Sequence, residues 1–510
     1  MKKSNGAQYI LSITFSFIAV AINYLITFFL TSFVTNALGA EAYGFVSLAK
    51  TFASYASIIT VAINSFAARY ISIEYHKGNF EKANKFFNSI LFADFALSFA
   101  LLLVFGGIIL FLENIISIPP DLVLDVKLLF LIDAINFLIL TNTTVFLVST
   151  TITNRLDALN IFKIISYVCE GIFLIVVYSL LPASLYFIGI SLIISSSVLF
   201  IANFLFTKKC TPELKISFKD ISRSELKEVF KPGIWNSINS LGNTLNTGLD
   251  LFISNALLTL LETGLLAIVK TVSTIFSTLF QLIAQPFQPL QLKYYANGEK
   301  EKLIHSFKLA MKIDGLFANV FFAGFIAFGL LFFRLWVPKE NHNVLQILSS
   351  ITLVGSLTEG ATYPLFYSYT LTAKNRVPCF VTIGAGALNV ASMLFFIKVL
   401  NWGIYVVVGT TSVISILGNF FFTPIYSAYC LKVSKKTFYP QILRHVLSSS
   451  VLTGLFVLLS LYIKPYNWIT LILVAISFFI LGAFIHCLIT FNKSDWGIVL
   501  KVFRRKRYGC

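Results

Sequence analysis

Long apolar runs recur along the whole sequence, near residues 9–34, 42–68, 89–111, 128–153, 164–179, 185–206, 232–256, 264–290, 313–333, 345–372, 379–397, 403–426, 445–463 and 468–491. Fourteen such runs leave little room for any other architecture. A helix crosses a hydrocarbon core of about 30 Å with about 20 apolar residues. Backbone groups in lipid must be satisfied internally, so unbroken apolar runs mean helices. The strands of a membrane barrel would alternate at period two, and these runs do not. The sequence therefore predicts an all-α polytopic membrane protein with 14 transmembrane helices. Composition agrees: 57% of the 510 residues are hydrophobic and 12% charged, against roughly 45–50% and about 25% in soluble domains. A soluble enzyme is excluded. The run 9–34 exceeds the roughly 7–15 residue core of a signal peptide, so it reads as the first span.

The chain is also basic, with 39 Lys+Arg against 22 Asp+Glu and a net charge of +17. A nucleic-acid binder would need those charges on a solvated face, and the apolar runs leave none of the required size. Threading the runs alternately through a membrane places 32 of the 39 basic residues on one side and five on the other. The Lys/Arg-rich side is the cytoplasmic one, so both termini are expected inside. The densest cluster is Arg504-Arg505-Lys506-Arg507. Two basic residues remain, Lys50 and Lys270, each inside an apolar run and 220 residues apart.

The same offset of 220 aligns Asn23 with Asn243, Gly44 with Gly264, Tyr75 with Tyr295, Gly78 with Gly298, Glu81 with Glu301 and Asp94 with Asp314. It still pairs Cys210 with Cys430 and Lys215 with Lys435. Such matches among rare residue types indicate a duplication. Six runs separate the copies, so both point the same way, as in transporters built from parallel repeats. The expected organisation is a six-helix lobe over 1–206, a cytoplasmic linker over 207–231 and a second six-helix lobe over 232–429. Helices 13 and 14 over 430–491 and a basic tail over 492–510 complete it.

A charge inside a membrane helix costs about 2.5–3.5 kcal/mol on insertion scales, so it faces a partner or a watery cavity. Below Lys50 on one helical face come Ser54 and Ser57; below Lys270 come Thr274, Ser277, Gln281 and Gln288. Gln285 continues the polar character of that run. The bland alternative is that each lysine snorkels to the headgroups. Asn236, Asn239, Asn243, Asn246 and Asp250 follow 3-4-3-4 spacing, predicting one stripe that either lines a cavity or hydrogen-bonds between helices. Asp250, Asp133 and Glu359 are candidate sites of ion coupling; Asp133, Glu170 and Glu359 are each either a proton or cation site or a salt-bridge partner to a lysine. Asp94 and Asp314 fall near Lys85 and Lys312 at the inner ends of their spans, where ion pairs forming a cytoplasmic gate are expected. Pro286, Pro289 and Pro364 should kink their helices. The five histidines are scattered, mostly near loops, and no metal site, cofactor motif or catalytic set is expected. No Walker A motif is present, so ATP is not the expected driver.

The stretch Leu38-Gly39-Ala40-Glu41-Ala42-Tyr43-Gly44-Phe45-Val46-Ser47-Leu48-Ala49 resembles the start of the second helix in polysaccharide exporters. These belong to the multidrug/oligosaccharidyl-lipid/polysaccharide exporter superfamily. Ala68-Arg69-Tyr70 and Tyr75-His76-Lys77-Gly78-Asn79 resemble the end of that helix and the following loop. The resemblance implies two lobes around a central cavity, with two added C-terminal helices. It implies a flippase of the bacterial cytoplasmic membrane that moves undecaprenyl-diphosphate-linked oligosaccharide outward and performs no chemistry on it. Lys50 and Lys270 lie in the helices that carry diphosphate-binding basic residues in the related lipid II flippases. The absence of Lys or Arg from 9–34 sets the chain apart from that subfamily. Under this reading Asn239, Asn243, Asn246, Gln281 and Gln285 meet sugar hydroxyls. The expected partners are the lipid-linked oligosaccharide, membrane lipids, and a polysaccharide polymerase and glycosyltransferases. Two rivals stand beside it: a multidrug/cation antiporter of the same fold, and a membrane glycosyl polymerase.

Overall fold

The computed structural model describes residues 5–372, 374–492 and 495. The expected basic cluster at Arg504–Arg507 lies outside the described residues. Eighteen α-helices make up the described chain, and no strand occurs among the described residues. They are α1 (Asn5–His76), α2 (Phe80–Leu110), α3 (Leu112–Ile115), α4 (Val123–Phe146), α5 (Val148–Ile152), α6 (Leu156–Leu180), α7 (Tyr186–Cys210), α8 (Arg223–Asn243) and α9 (Asp250–Leu257). The series continues with α10 (Leu260–Ala284), α11 (Gln288–Ala296), α12 (Lys300–Trp336), α13 (His342–Leu371), α14 (Arg376–Lys398), α15 (Ile404–Leu417), α16 (Thr423–Cys430), α17 (Tyr439–Ser460) and α18 (Trp468–Thr490).

Every apolar run of the sequence lies on one or more of these helices. Among the described residues eleven helices are long and apolar enough to cross a membrane. The first of them carries two runs, because α1 breaks at Gly39, whose φ of 87° and ψ of 165° are non-helical. Only glycine adopts that region readily, so this residue turns one apolar run into the next without a loop. The chain is a multi-pass membrane protein.

The duplication seen in the sequence is also a duplication of local structure. α1 is followed by Gly78 with φ 77°, and α11 by Gly298 with φ 70°. Gly78 N–H donates to Tyr75 O (3.0 Å) and Asn79 N–H to Glu74 O (3.0 Å); Gly298 N–H donates to Tyr295 O (3.1 Å) and Glu299 N–H to Tyr294 O (2.9 Å). Both are Schellman caps, which place a left-handed glycine just past the helix. Deeper in each copy, Thr207 Oγ1 donates to Phe146 O at 3.2 Å, and Ser427 Oγ donates to Leu365 O at 3.2 Å.

The chain packs as two units, Met1–Gly264 with Cys379–Val390, and Leu265–Pro378 with Ala391–Cys510. Packing therefore places α8 and α9, which begin the second sequence copy, with the first unit. In that unit an apolar core joins the end of α1 (Ile63, Ile71) to α2 (Phe86, Phe87, Ile90), α4–α5 (Phe146, Val148) and Val229 of α8. In the second unit Phe307 and Met311 of α12 pack with Leu365 of α13 and Ile442 of α17. A further cluster seats α17 and α18 on α12 through Val320, Phe328, Phe456 and Phe478.

The segment 207–231 is held in place although it is polar. Asn84 Nδ2 donates to Glu213 O (2.7 Å) and Asn84 Oδ1 accepts from Lys215 N–H (2.8 Å). One turn on, Asn88 Nδ2 donates to Lys215 O and Asn88 Oδ1 accepts from Ser217 N–H, both at 2.8 Å. Two asparagines spaced i, i+4 on α2 thus pair with an extended backbone much as a neighbouring strand would.

Candidate functional site

In the first unit Lys50 is exposed on the second arm of α1. Its charge acts on two buried carboxylates, Asp133 of α4 and Glu170 of α6. It forms no direct ion pair among the described residues. Asn136 Nδ2 donates to Asp133 Oδ1 at 3.4 Å, and Ser195 hydrogen-bonds to Glu170. The lysine is thus exposed in the electrostatic neighbourhood of two buried acids. The sequence named Asp133 as an ion-coupling candidate; its grouping with Lys50 and Glu170 joins three helices and was not legible from spacing.

The predicted Asn/Asp stripe is interrupted. Residues Thr244–Gly248 form a π-turn between α8 and α9. Such a turn takes one more residue than an α turn, so Asn246 and Asp250 rotate away from the line of Asn239 and Asn243. A π-turn also releases backbone carbonyls, which must find donors when buried. Tyr55 Oη donates to Gly248 O at 2.8 Å, and Asn389 Nδ2 of α14 donates to Asn246 O at 2.7 Å. Asn243 is exposed, Asn239 and Asn246 are half-buried, and Asp250 is buried.

In the second unit Lys270 is half-buried on α10. Its backbone carbonyl accepts from Thr274 Oγ1 at 2.8 Å and from Ser273 Oγ at 3.1 Å. On the same face Ser277 Oγ donates to Glu359 Oε2 of α13 at 3.2 Å. Gln281 is exposed, and exposed Gln285 falls in a 3₁₀ turn, Gln285–Phe287, that ends the helix.

The expected ion pairs of Asp94 and Asp314 do not form. Lys85 pairs with Glu81 one turn away at 2.7 Å, and Lys312 pairs with Asp495 at 2.6 Å. Asp94 instead accepts from Asn64 Nδ2 at 3.1 Å, and Thr144 Oγ1 donates to Asn64 Oδ1 at 2.9 Å. Asp314 is fully buried in the electrostatic neighbourhood of Glu359. On α2 and α12 the two lysines point along the helix or toward the chain end, whereas the aspartates face inward. Sequence proximity misjudged them because residues nine and two apart lie on different helix faces.

Two of the five histidines, His445 and His486, are also buried. His486 Nδ1 lies 2.9 Å from Ser448 Oγ and 3.2 Å from Asn319 Nδ2, and its Nε2 lies 3.1 Å from Lys312 O. His445 Nε2 lies 3.0 Å from Leu357 O. This network ties α17 and α18 to α12 and α13. Among the described residues no group of three or more His, Cys, Asp or Glu is placed to hold a metal ion.

No protein-family model matches the chain. It is 26% identical over 491 residues to the uncharacterized membrane protein EpsK of Bacillus subtilis (strain 168), covering 96% of this chain and 97% of that one. Its structure is similar to the lipid II flippase MurJ in an inward closed conformation, with a TM-score of 0.66 and 15% identity over 94% of this chain and 98% of that one. It is equally similar to an inward-facing multidrug resistance MATE family transporter, with a TM-score of 0.67 and 14% identity over 81% and 96%. The chain has the fold seen in this MATE transporter and in MurJ.

Proposed function

We propose that this protein is a flippase of the bacterial cytoplasmic membrane that carries a polyprenyl-diphosphate-linked oligosaccharide from the inner to the outer leaflet by alternating access. The observation that carries the reading is the pair of membrane-embedded lysines, Lys50 and Lys270, one in each repeat at one offset. Each presents a compact positive charge to the diphosphate. The polar side chains Asn239, Asn243, Asn246, Gln281 and Gln285 hydrogen-bond the sugars. The likeness to the lipid II flippase MurJ supports a lipid-linked substrate. Both termini face the cytoplasm, as the Lys/Arg distribution requires. Outward movement of an anion is then favoured by an inside-negative potential, by about 2.3 kcal/mol per charge per 100 mV. Asp133, Asp250 and Glu359 are the groups through which a proton or sodium gradient would act. The polymerase and glycosyltransferases of the same polysaccharide are the partners this role requires.

The MATE-like neighbours favour a second reading, a multidrug or cation antiporter. One reconstitution separates the two. Proteoliposomes receive either a polyprenyl-diphosphate oligosaccharide or a lipophilic cation. Appearance of the glycan on the opposite leaflet, read with a membrane-impermeant glycosidase, is the expected result. Gradient-driven cation uptake without glycan movement would establish the antiporter.

A further inference from the structure

A cavity lies within the second unit, away from Lys270. It has a volume of about 290 Å³ and is lined by Gln288 and Gln291 of α11 and by Tyr363, Pro364, Tyr367 and Thr370 of α13. Proline makes it. Pro286 and Pro289 cannot donate backbone hydrogen bonds, so α10 gives way to the 3₁₀ turn Gln285–Phe287 before α11 resumes. Pro364 lies within the continuous α13 and lines the same cavity. The broken α10–α11 path leaves a gap beside α13, and polar side chains line it. Gln291 is 1% exposed, lines the cavity, and its Nε2 has no hydrogen-bond partner. A buried amide left without a partner costs about 1–3 kcal/mol, so its donors await something that enters the cavity.

The repeat supplies a control. At offset 220 Gln288 and Gln291 correspond to Ala68 and Ile71. The matched hydroxyl-to-carbonyl bonds onto Phe146 and Leu365 set the register of α4 against α13 at 219. Tyr363 and Tyr367 then correspond to Thr144 and Val148. In the first copy Ile71 and Val148 belong to the closed apolar core. The fold can therefore fill this place with packing; the second copy opens it and lines it with amides and phenols.

We infer that this cavity is a subsite for a neutral, hydroxyl-rich sugar ring, with Gln291 and Gln288 bonding hydroxyls and Tyr363 and Tyr367 supplying flat apolar faces. Glutamine offers two donors and an acceptor, and tyrosine combines an apolar face with a polar tip. A sugar ring presents the same mixture. The cavity lies about 27 Å along the α10–α11 path from Lys270, at 1.5 Å per residue. It stands toward the Lys/Arg-rich side, where a lipid-linked glycan would arrive. The sugar is met there before the diphosphate reaches the lysine. The ligand class rests on the flippase reading; the existence of the subsite does not.

The test is saturation-transfer NMR on the full chain in nanodiscs with free glucose, galactose, mannose and N-acetylglucosamine as probes. At least one is expected to bind saturably. Gln291→Leu and Tyr367→Ala should each weaken it at least tenfold, and Lys85→Ala, in the first unit, should leave it unchanged. Thermal denaturation of each variant separates lost binding from lost folding, and the exposed Thr370→Val provides a variant outside the packed core with a smaller loss expected. Absence of binding by all four probes, or binding that survives both Gln291→Leu and Tyr367→Ala, overturns the subsite. Normal glycan flipping in the same variants would then leave the transport reading standing. Sugar binding that depends on Gln291, in a protein that flips no lipid-linked glycan, would keep the subsite and reject the flippase.

Discussion

At the scale of single residues, buried polar groups decide what can change. Asp94 has one hydrogen-bond donor, Asn64. Asn64→Leu removes it from a carboxyl that is fully buried, at a cost of about 1–3 kcal/mol, and should lower the midpoint of thermal unfolding in detergent. Lys85→Ala, which breaks only the exposed pair with Glu81, should leave that midpoint nearly unchanged, as exposed pairs contribute about 0–1 kcal/mol. The reverse ranking would restore the ion pair expected from sequence. Lys50 belongs to this scale too. Its position in an apolar run made it conspicuous in the sequence, but Asp133 and Glu170 stand 83 and 120 residues further along. Nothing in linear spacing brings such residues together.

At the scale of elements, the backbone breaks are the informative features. Gly39 occupies a region that costs other residues of order 1–3 kcal/mol. Gly39→Ala should therefore destabilise by that amount, whereas Gly106→Ala in α2, where an added methyl meets nothing within 4 Å, should be neutral or gain up to about 1 kcal/mol. Parallel unfolding curves measure both. The π-turn at Thr244–Gly248 is sealed by Tyr55; Tyr55→Phe should raise amide exchange around 248–252. The proline positions were legible in the sequence, and so was the pairing of Gly78 with Gly298, though not the caps these glycines form. The π-turn was not, since its extra residue is stabilised by α1 and α14, and so a stripe that reads as continuous is split.

At the scale of the molecule, hydrophobic periodicity and the offset of 220 were enough to read an all-helical, duplicated membrane protein. The docking of the last two helices was not readable, because His445, His486 and Asp495 act on partners more than 80 residues away. Burial alone would raise the Asp495 carboxyl, but the hydrogen bond and charge of Lys312 outweigh it and hold it below the usual carboxylate range. A carboxyl lowered in this way stabilises the fold above its unfolded pKa of about 3.9, and the stabilisation is lost as pH falls through the folded value. Amide protection at the end of α18 should stay level from neutral pH to about pH 5 and fall below about pH 4. Asp495→Asn should remove that pH dependence; a profile unchanged by this substitution would show that Lys312 does not anchor the helix.

The central claim is that the two embedded lysines handle the anionic headgroup. Its most direct test is transbilayer movement of a polyprenyl-diphosphate oligosaccharide in proteoliposomes, comparing wild type, Lys50→Ala/Lys270→Ala and Lys50→Arg/Lys270→Arg, with size-exclusion profiles confirming that each protein is folded. Loss of movement in the alanine pair, with substantial movement kept by the arginine pair, is the predicted result. Movement at the wild-type rate by the folded alanine pair would contradict it.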